Sequence, residues 1–121
     1  MKSLMTLIGL FVAVSTTFAQ VAKVEGSATA FEKQVAKGQM EIILPQSADA
    51  KSVEKSASYY TDYFEVSFDG DSKVAAIDMI DNTASNRRVI SRFLLTNGVR
   101  NIELDGTKYS INEFYDQFLN E

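Results

Sequence analysis

The sequence predicts an α+β fold, a small sheet with helices packed on one face. Three observations carry that expectation. From residue 39 onward, strand-like and helix-like stretches follow one another as β-α-β-β-α-β. The boundaries between them carry residues suited to caps and turns. Phe64-Glu65-Val66-Ser67-Phe68 alternates apolar and polar residues without a break, as a half-buried strand does.

Residues 1–19 read as a leader. Lys2 supplies a positive start, residues 4–14 are almost wholly apolar, and Ser15 to Ala19 are mostly small. This is the three-part layout of a secretory signal peptide, with cleavage expected between Ala19 and Gln20. A membrane anchor would need about 20 apolar residues. The expected protein is therefore exported, periplasmic or secreted, and free of the membrane after cleavage. Residues 21–28 show no period and read as a flexible lead. Thr29 and Glu32 fit a capping box, opening a short helix over 30–37 that Gly38 stops. The organisation expected is leader 1–19, lead and short helix 20–38, and one domain over 39–121.

Within that domain, residues 39–44 form a strand that Pro45 ends. Ser47 or Asp49 caps a helix reaching about residue 62, with Val53, Ala57 and Tyr60 on one face. The strand 64–68 turns at Asp69-Gly70-Asp71-Ser72, with Gly70 expected to supply a positive φ. Residues 73–80 return beside it. Asn82 or Thr83 caps the next helix, whose apolar stripe is Val89, Ile90, Phe93 and Leu94, and Asn97-Gly98 stops it. Residues 99–104 give the last core strand, and 107–109 pair back briefly after Asp105-Gly106. Ser110 and Glu113 fit a capping box for a terminal helix, with Tyr109 and Phe114 placed as a hydrophobic staple.

Composition removes several chemistries. The chain has no cysteine and no histidine, so thiol chemistry, thiolate metal sites and imidazole bases are absent. Its formal charge is −4, and −5 once Lys2 leaves with the leader. Such a domain repels phosphate backbones and anionic headgroups, so nucleic acid and membrane surfaces are not expected partners. The oligomeric state is open.

The β-α-β-β-α-β order is that of a ferredoxin-like sandwich, here with an extra short N-terminal helix and a C-terminal helix. At "LLTNGVRNIELDG" the chain resembles the heavy-metal-associated domains of copper carriers, which share that fold. In that family a Cys-x-x-Cys between first strand and first helix holds the metal. The matching loop here is Pro45-Gln46-Ser47-Ala48-Asp49-Ala50, or in another register Asp81-Asn82-Thr83-Ala84-Ser85-Asn86. Neither has a sulfur ligand, so the resemblance implies a fold and carries over no site and no cofactor. The Phe18-Ala19-Gln20 ending also resembles exported proteins of Bacteroidetes-type bacteria.

The candidate sites are surfaces. Placing the large apolar strand residues inward sets Glu41, Glu65, Asp78 and Glu103 on the opposite face, one carboxylate per core strand. Ferredoxin-like order would line them up as Glu103, Glu41, Asp78, Glu65, an acidic face for a basic partner or a divalent cation; the plainer alternative is a wet face whose charges prevent aggregation. Tyr59 and Tyr63 near a helix end suit an interface. Arg87, Arg88 and Arg92 form the only basic cluster, with Arg88 and Arg92 on one helix face; a solvated face competes with a docking point for an acidic partner. Asp78, Asp81 and Asn82 could offer oxygens to a hard cation, or be surface and capping groups. The function expected is a small exported interaction or ligand-binding module, not an enzyme, whose partner is a protein or small ligand. The alternative is a degenerate carrier that uses carboxylates in place of cysteines.

Overall fold

The computed structural model describes residues 20–120. The expected leader, including Ala19 at the cleavage junction, lies outside the described residues. Among those described, no helix is long and apolar enough to cross a membrane.

The fold is α+β, with one six-stranded mixed sheet. The strands are β1 (Val21–Val24), β2 (Gln39–Ile43), β3 (Phe64–Phe68), β4 (Val74–Met79), β5 (Asn101–Leu104) and β6 (Thr107–Ser110). The helices are α1 (Ala28–Lys37), α2 (Ala50–Ala57), α3 (Ala84–Thr96) and α4 (Ile111–Phe114). A 3₁₀ turn, Ser58–Tyr60, extends α2, and a π turn, Tyr115–Leu119, extends α4.

Across the sheet the strands run β3-β4-β2-β1-β5-β6. The simple four-stranded order is not what forms. Val21–Val24, expected as a lead, is a strand wedged between β2 and β5. It runs parallel to β5 along its whole length, from Val21 beside Asn101 to Val24 beside Leu104. Its antiparallel pairing to β2 is confined to one end, Lys23 beside Ile43. Ala22 and Val24 point into the core and Lys23 points out, so the strand alternates as a half-buried one should. The remaining pairs, β2·β4, β3·β4 and β5·β6, are antiparallel.

One continuous core lies under the inward face. Met40, Ile42, Leu44, Phe64, Ala75, Ile77, Ile102 and Leu104 are buried there, as the alternation requires. Phe64 meets Phe93 of α3 edge-on at 5.9 Å, and Phe31 of α1 lies 5.4 Å from Phe114. Phe118 completes this aromatic group with Phe31 and with Tyr109, at 6.1 and 5.3 Å.

Local signals differ from expectation in a few places. Ser27, not Thr29, caps α1, accepting a bond from the Ala30 N–H. Thr83 caps α3, which releases Asn82 for another task. In the β3–β4 turn it is Lys73, not Gly70, that takes the left-handed conformation, with φ 66°. Asp105 and Gly106 both have positive φ, 52° and 81°, as a two-residue type I′ hairpin requires. Asp49 caps α2 and Ser110–Glu113 forms a complete capping box.

Candidate functional site

Among the described residues no helix covers the outward face of the sheet along β2, β4 and β3, and α1 flanks it. The register fixes which charges meet there. Glu65 sits directly opposite Asp78, and Asp78 sits opposite Gln39. Glu41 lies opposite Ala76, one step diagonal from Asp78. Directly opposed residues on antiparallel strands have Cβ atoms about 5 Å apart, and like charges so placed repel. Glu41, Glu65 and Asp78 are all exposed.

Glu103 does not join them. The inserted β1 separates β5 from β2, and Glu103 is flanked by Lys23 on one side and Lys108 on the other. The expected acidic row of four is therefore three carboxylates on one half of the face and an alternating Lys108-Glu103-Lys23 row on the other.

The short reach of β1 also explains the position of α1. Antiparallel alternation turns the Glu41 N–H away from β4, toward the side of β2 where β1 pairs only at Ile43. The Gln34 side-chain oxygen accepts that N–H at 3.1 Å, replacing a missing ladder bond. A groove of about 700 Å³ opens between this helix and the sheet. Its helix wall is Ala30, Lys33, Gln34 and Lys37, and its sheet side includes Glu41, Glu65, Ser67 and Asp78. Ala76 adds apolar surface to it. Two lysines thus face three carboxylates across a partly apolar groove. Sequence reasoning missed the helix wall. The signal was present: Lys33 and Lys37 are spaced by four, so they share a face when Phe31 and Val35 point inward.

The tyrosines and arginines singled out in the sequence lie apart from this groove. Tyr59 and Tyr63 are 66% and 38% exposed, beside the similarly exposed Ile80, which pairs with Tyr63 at the end of the β3–β4 ladder. Arg88 and Arg92 line a different groove of about 480 Å³ with Leu95, Asn112, Tyr115 and Asp116. The Arg88 guanidinium lies 4.8 Å from the centre of the Tyr115 ring, a cation–π contact that ties α3 to the C-terminal turn. Arg87 leaves the basic cluster altogether. It is 3% exposed, and its Nε donates to the Leu119 carbonyl at 2.7 Å.

The loops that could have held an ion are occupied by structural bonds. The Asn82 amide donates to the Val35 and Ala36 carbonyls and its oxygen accepts from Arg87 at 2.6 Å. Asp49 accepts from the Ser52 N–H at 2.9 Å and from its hydroxyl at 3.1 Å. Its carboxyl is held below its ordinary pKa, first by the Ser52 N–H and then by the Ser52 hydroxyl. Asp69, through the Asp71 N–H, and Glu113, through the Ser110 N–H, are lowered for the same kind of reason. All three are cap or turn groups, and none lines the groove. Among the described residues no three or more Asp and Glu side chains converge closely enough to hold a metal ion.

No family model matches the chain, and no curated protein and no solved structure matches it. The geometry of the site is therefore the ground for a functional reading.

Proposed function

We propose that this chain is an exported, non-enzymatic binding module whose working surface is the groove between α1 and the open face of β2, β4 and β3. The observation that carries the reading is the groove itself. It pairs a cationic helix wall with an anionic sheet wall around apolar surface, which suits a ligand with both polar and apolar groups. Binding is favoured over catalysis because catalysis needs a group held in a fixed, water-shielded position, and the groove carboxylates are exposed on the sheet face. In outline, the module is a ferredoxin-like unit of β5, β2, β4 and β3, opened to admit β1. That opening brings α1 beside the sheet and so makes the groove.

The test is capture from the exported fraction of the native cell by immobilised residues 20–121. Wild-type protein and the Arg88→Gln/Arg92→Gln variant are expected to retain one specific ligand. Glu41→Gln/Asp78→Asn, if folded, is expected to lose it. Retention by Glu41→Gln/Asp78→Asn with loss by the arginine variant would move the site to the α3–α4 groove and overturn the reading.

A further inference from the structure

We propose that β3 is a docking edge, to which an extended segment of a partner adds as a seventh strand, with basic and apolar residues alternating along that segment. The inference deepens the groove reading, since Glu65, Val66 and Ser67 belong both to β3 and to the groove.

Four observations converge on this edge. First, β3 is the last strand on its side of the sheet, and no described segment pairs with its outer side. Asp69 donates to the Val74 carbonyl and Ile80 to the Tyr63 carbonyl, which sets the phase of the ladder. The odd-numbered residues of β3 bond to β4, so the N–H and C=O groups of Phe64, Val66 and Phe68 point outward.

Second, apart from the charge of Glu65, the edge lacks the devices that blunt such strands. Five consecutive pairs run from Phe64 beside Met79 to Phe68 beside Ala75 with no bulge. The strand has no proline and no lysine. The opposite edge, β6, is shorter and carries Lys108.

Third, the inward side of the edge is unfinished. Val66 and Phe68 point toward the core but are only half-buried. Apolar side chains of an added strand would cover these groups.

Fourth, the outward side is acidic. Glu65 and Asp78 face each other, and among the described residues neither makes an ion pair or a side-chain hydrogen bond. A lysine or arginine on the added strand would lie beside Glu65 and relieve that repulsion. The two sides together specify the occupant: basic residues on one face, apolar on the other, in strand alternation. Backbone bonds would give affinity, and the alternate side chains selectivity. A second copy of the chain is the poorer occupant. Pairing two β3 edges would place two Glu65 side chains on one face of an already acidic molecule.

The probe is a fluorescein-labelled hexapeptide of alternating lysine and valine, titrated with residues 20–121 and read by anisotropy. Three controls accompany it: the same peptide N-methylated at its valines, a glutamate–valine peptide, and sedimentation of the protein alone. The lysine–valine peptide is expected to bind, more weakly as salt rises. The N-methylated and the acidic peptides are expected to bind at least about tenfold more weakly, from lost backbone bonds or reversed charge. Glu65→Lys is expected to weaken the first peptide to a similar degree. Val66→Pro removes only an outward-pointing N–H, and should also weaken it while keeping the melting temperature near wild type. If Val66→Pro does not fold, the N-methylated peptide decides. Equal binding of methylated and unmethylated peptides overturns strand addition, as does no binding at all. A wild-type dimer that Glu65→Lys or Val66→Pro dissociates overturns the choice of occupant. The groove reading fails separately, by the capture experiment: loss of the ligand in Glu41→Gln/Asp78→Asn but not in Val66→Pro would keep the groove and reject the strand.

Discussion

Asn82 shows how much a single side chain can carry once it is freed from capping. Its amide closes the last carbonyls of α1, at Val35 and Ala36, and its oxygen receives the buried Arg87. Arg87 in turn holds the Leu119 carbonyl at the end of the C-terminal turn. Three helices that are distant in sequence thus meet at one polar pair. Gly38 sits against this pair. A Cβ there would come within 3.2 Å of the Asn82 Cγ, and its φ of 74° already favours glycine. Asn82→Ala should cost about 3 kcal/mol, since it removes two bonds to carbonyls and strips a buried guanidinium of an acceptor. Urea unfolding would measure this; a cost near zero would mean the hub is incidental. None of it was legible in the sequence. Asn82 stands where a cap is expected and Arg87 stands among surface arginines, and only the folded packing of α1 and the C-terminal turn against α3 assigns either one.

At the scale of elements, local chemistry was the most readable layer. The Ser110–Glu113 capping box and the Asp49 cap form because short polar side chains satisfy helix N–H groups at a fixed spacing. Ser110→Ala should therefore cost about 1 kcal/mol. Glu113 carries a pH signature as well. Its folded pKa is lowered by the Ser110 N–H and hydroxyl, so its stabilisation is present above the pKa of the unfolded chain. It fades as pH falls through the lower folded value. The stability gap between wild type and Glu113→Gln should be open at neutral pH and close in strong acid, which urea melts across that range would show. A gap that widened on acidification would contradict the cap. What the local layer concealed was β1. Val21-Ala22-Lys23-Val24 shows no clear period by residue type, and four residues are few for a strand. It is held by Asn101–Leu104, far along the chain, and such pairings leave no mark in a local window. The turn before β4 was misread for a related reason. Lys73 tolerates a positive φ because its N–H reaches the Asp69 carbonyl at 2.8 Å and its Nζ reaches the Ala48 carbonyl at 2.6 Å.

For the molecule as a whole, one inserted strand changes the outward face of the sheet. The inward and outward sets of Met40, Ile42, Glu41, Glu65 and Asp78 follow from alternation alone, and the fold places them so. Their lateral neighbours depend on strand order, which periodicity does not encode. With β1 between β2 and β5, Glu103 passes from the acidic row to a row of lysines, and α1 comes to lie beside the remaining three carboxylates. The proposed groove and the proposed docking edge share one surface, the half of the sheet from α1 across to β3. The most direct check is an amide shift map of ¹⁵N-labelled residues 20–121 as the lysine–valine hexapeptide is added. The expected result is a set of shifts along Phe64–Phe68, the paired residues of Val74–Met79 and the Lys33 to Lys37 turn of α1, with the Arg88–Tyr115 groove unmoved. Shifts centred on Arg88, Arg92 and Tyr115, or no saturable shifts at all, would contradict it.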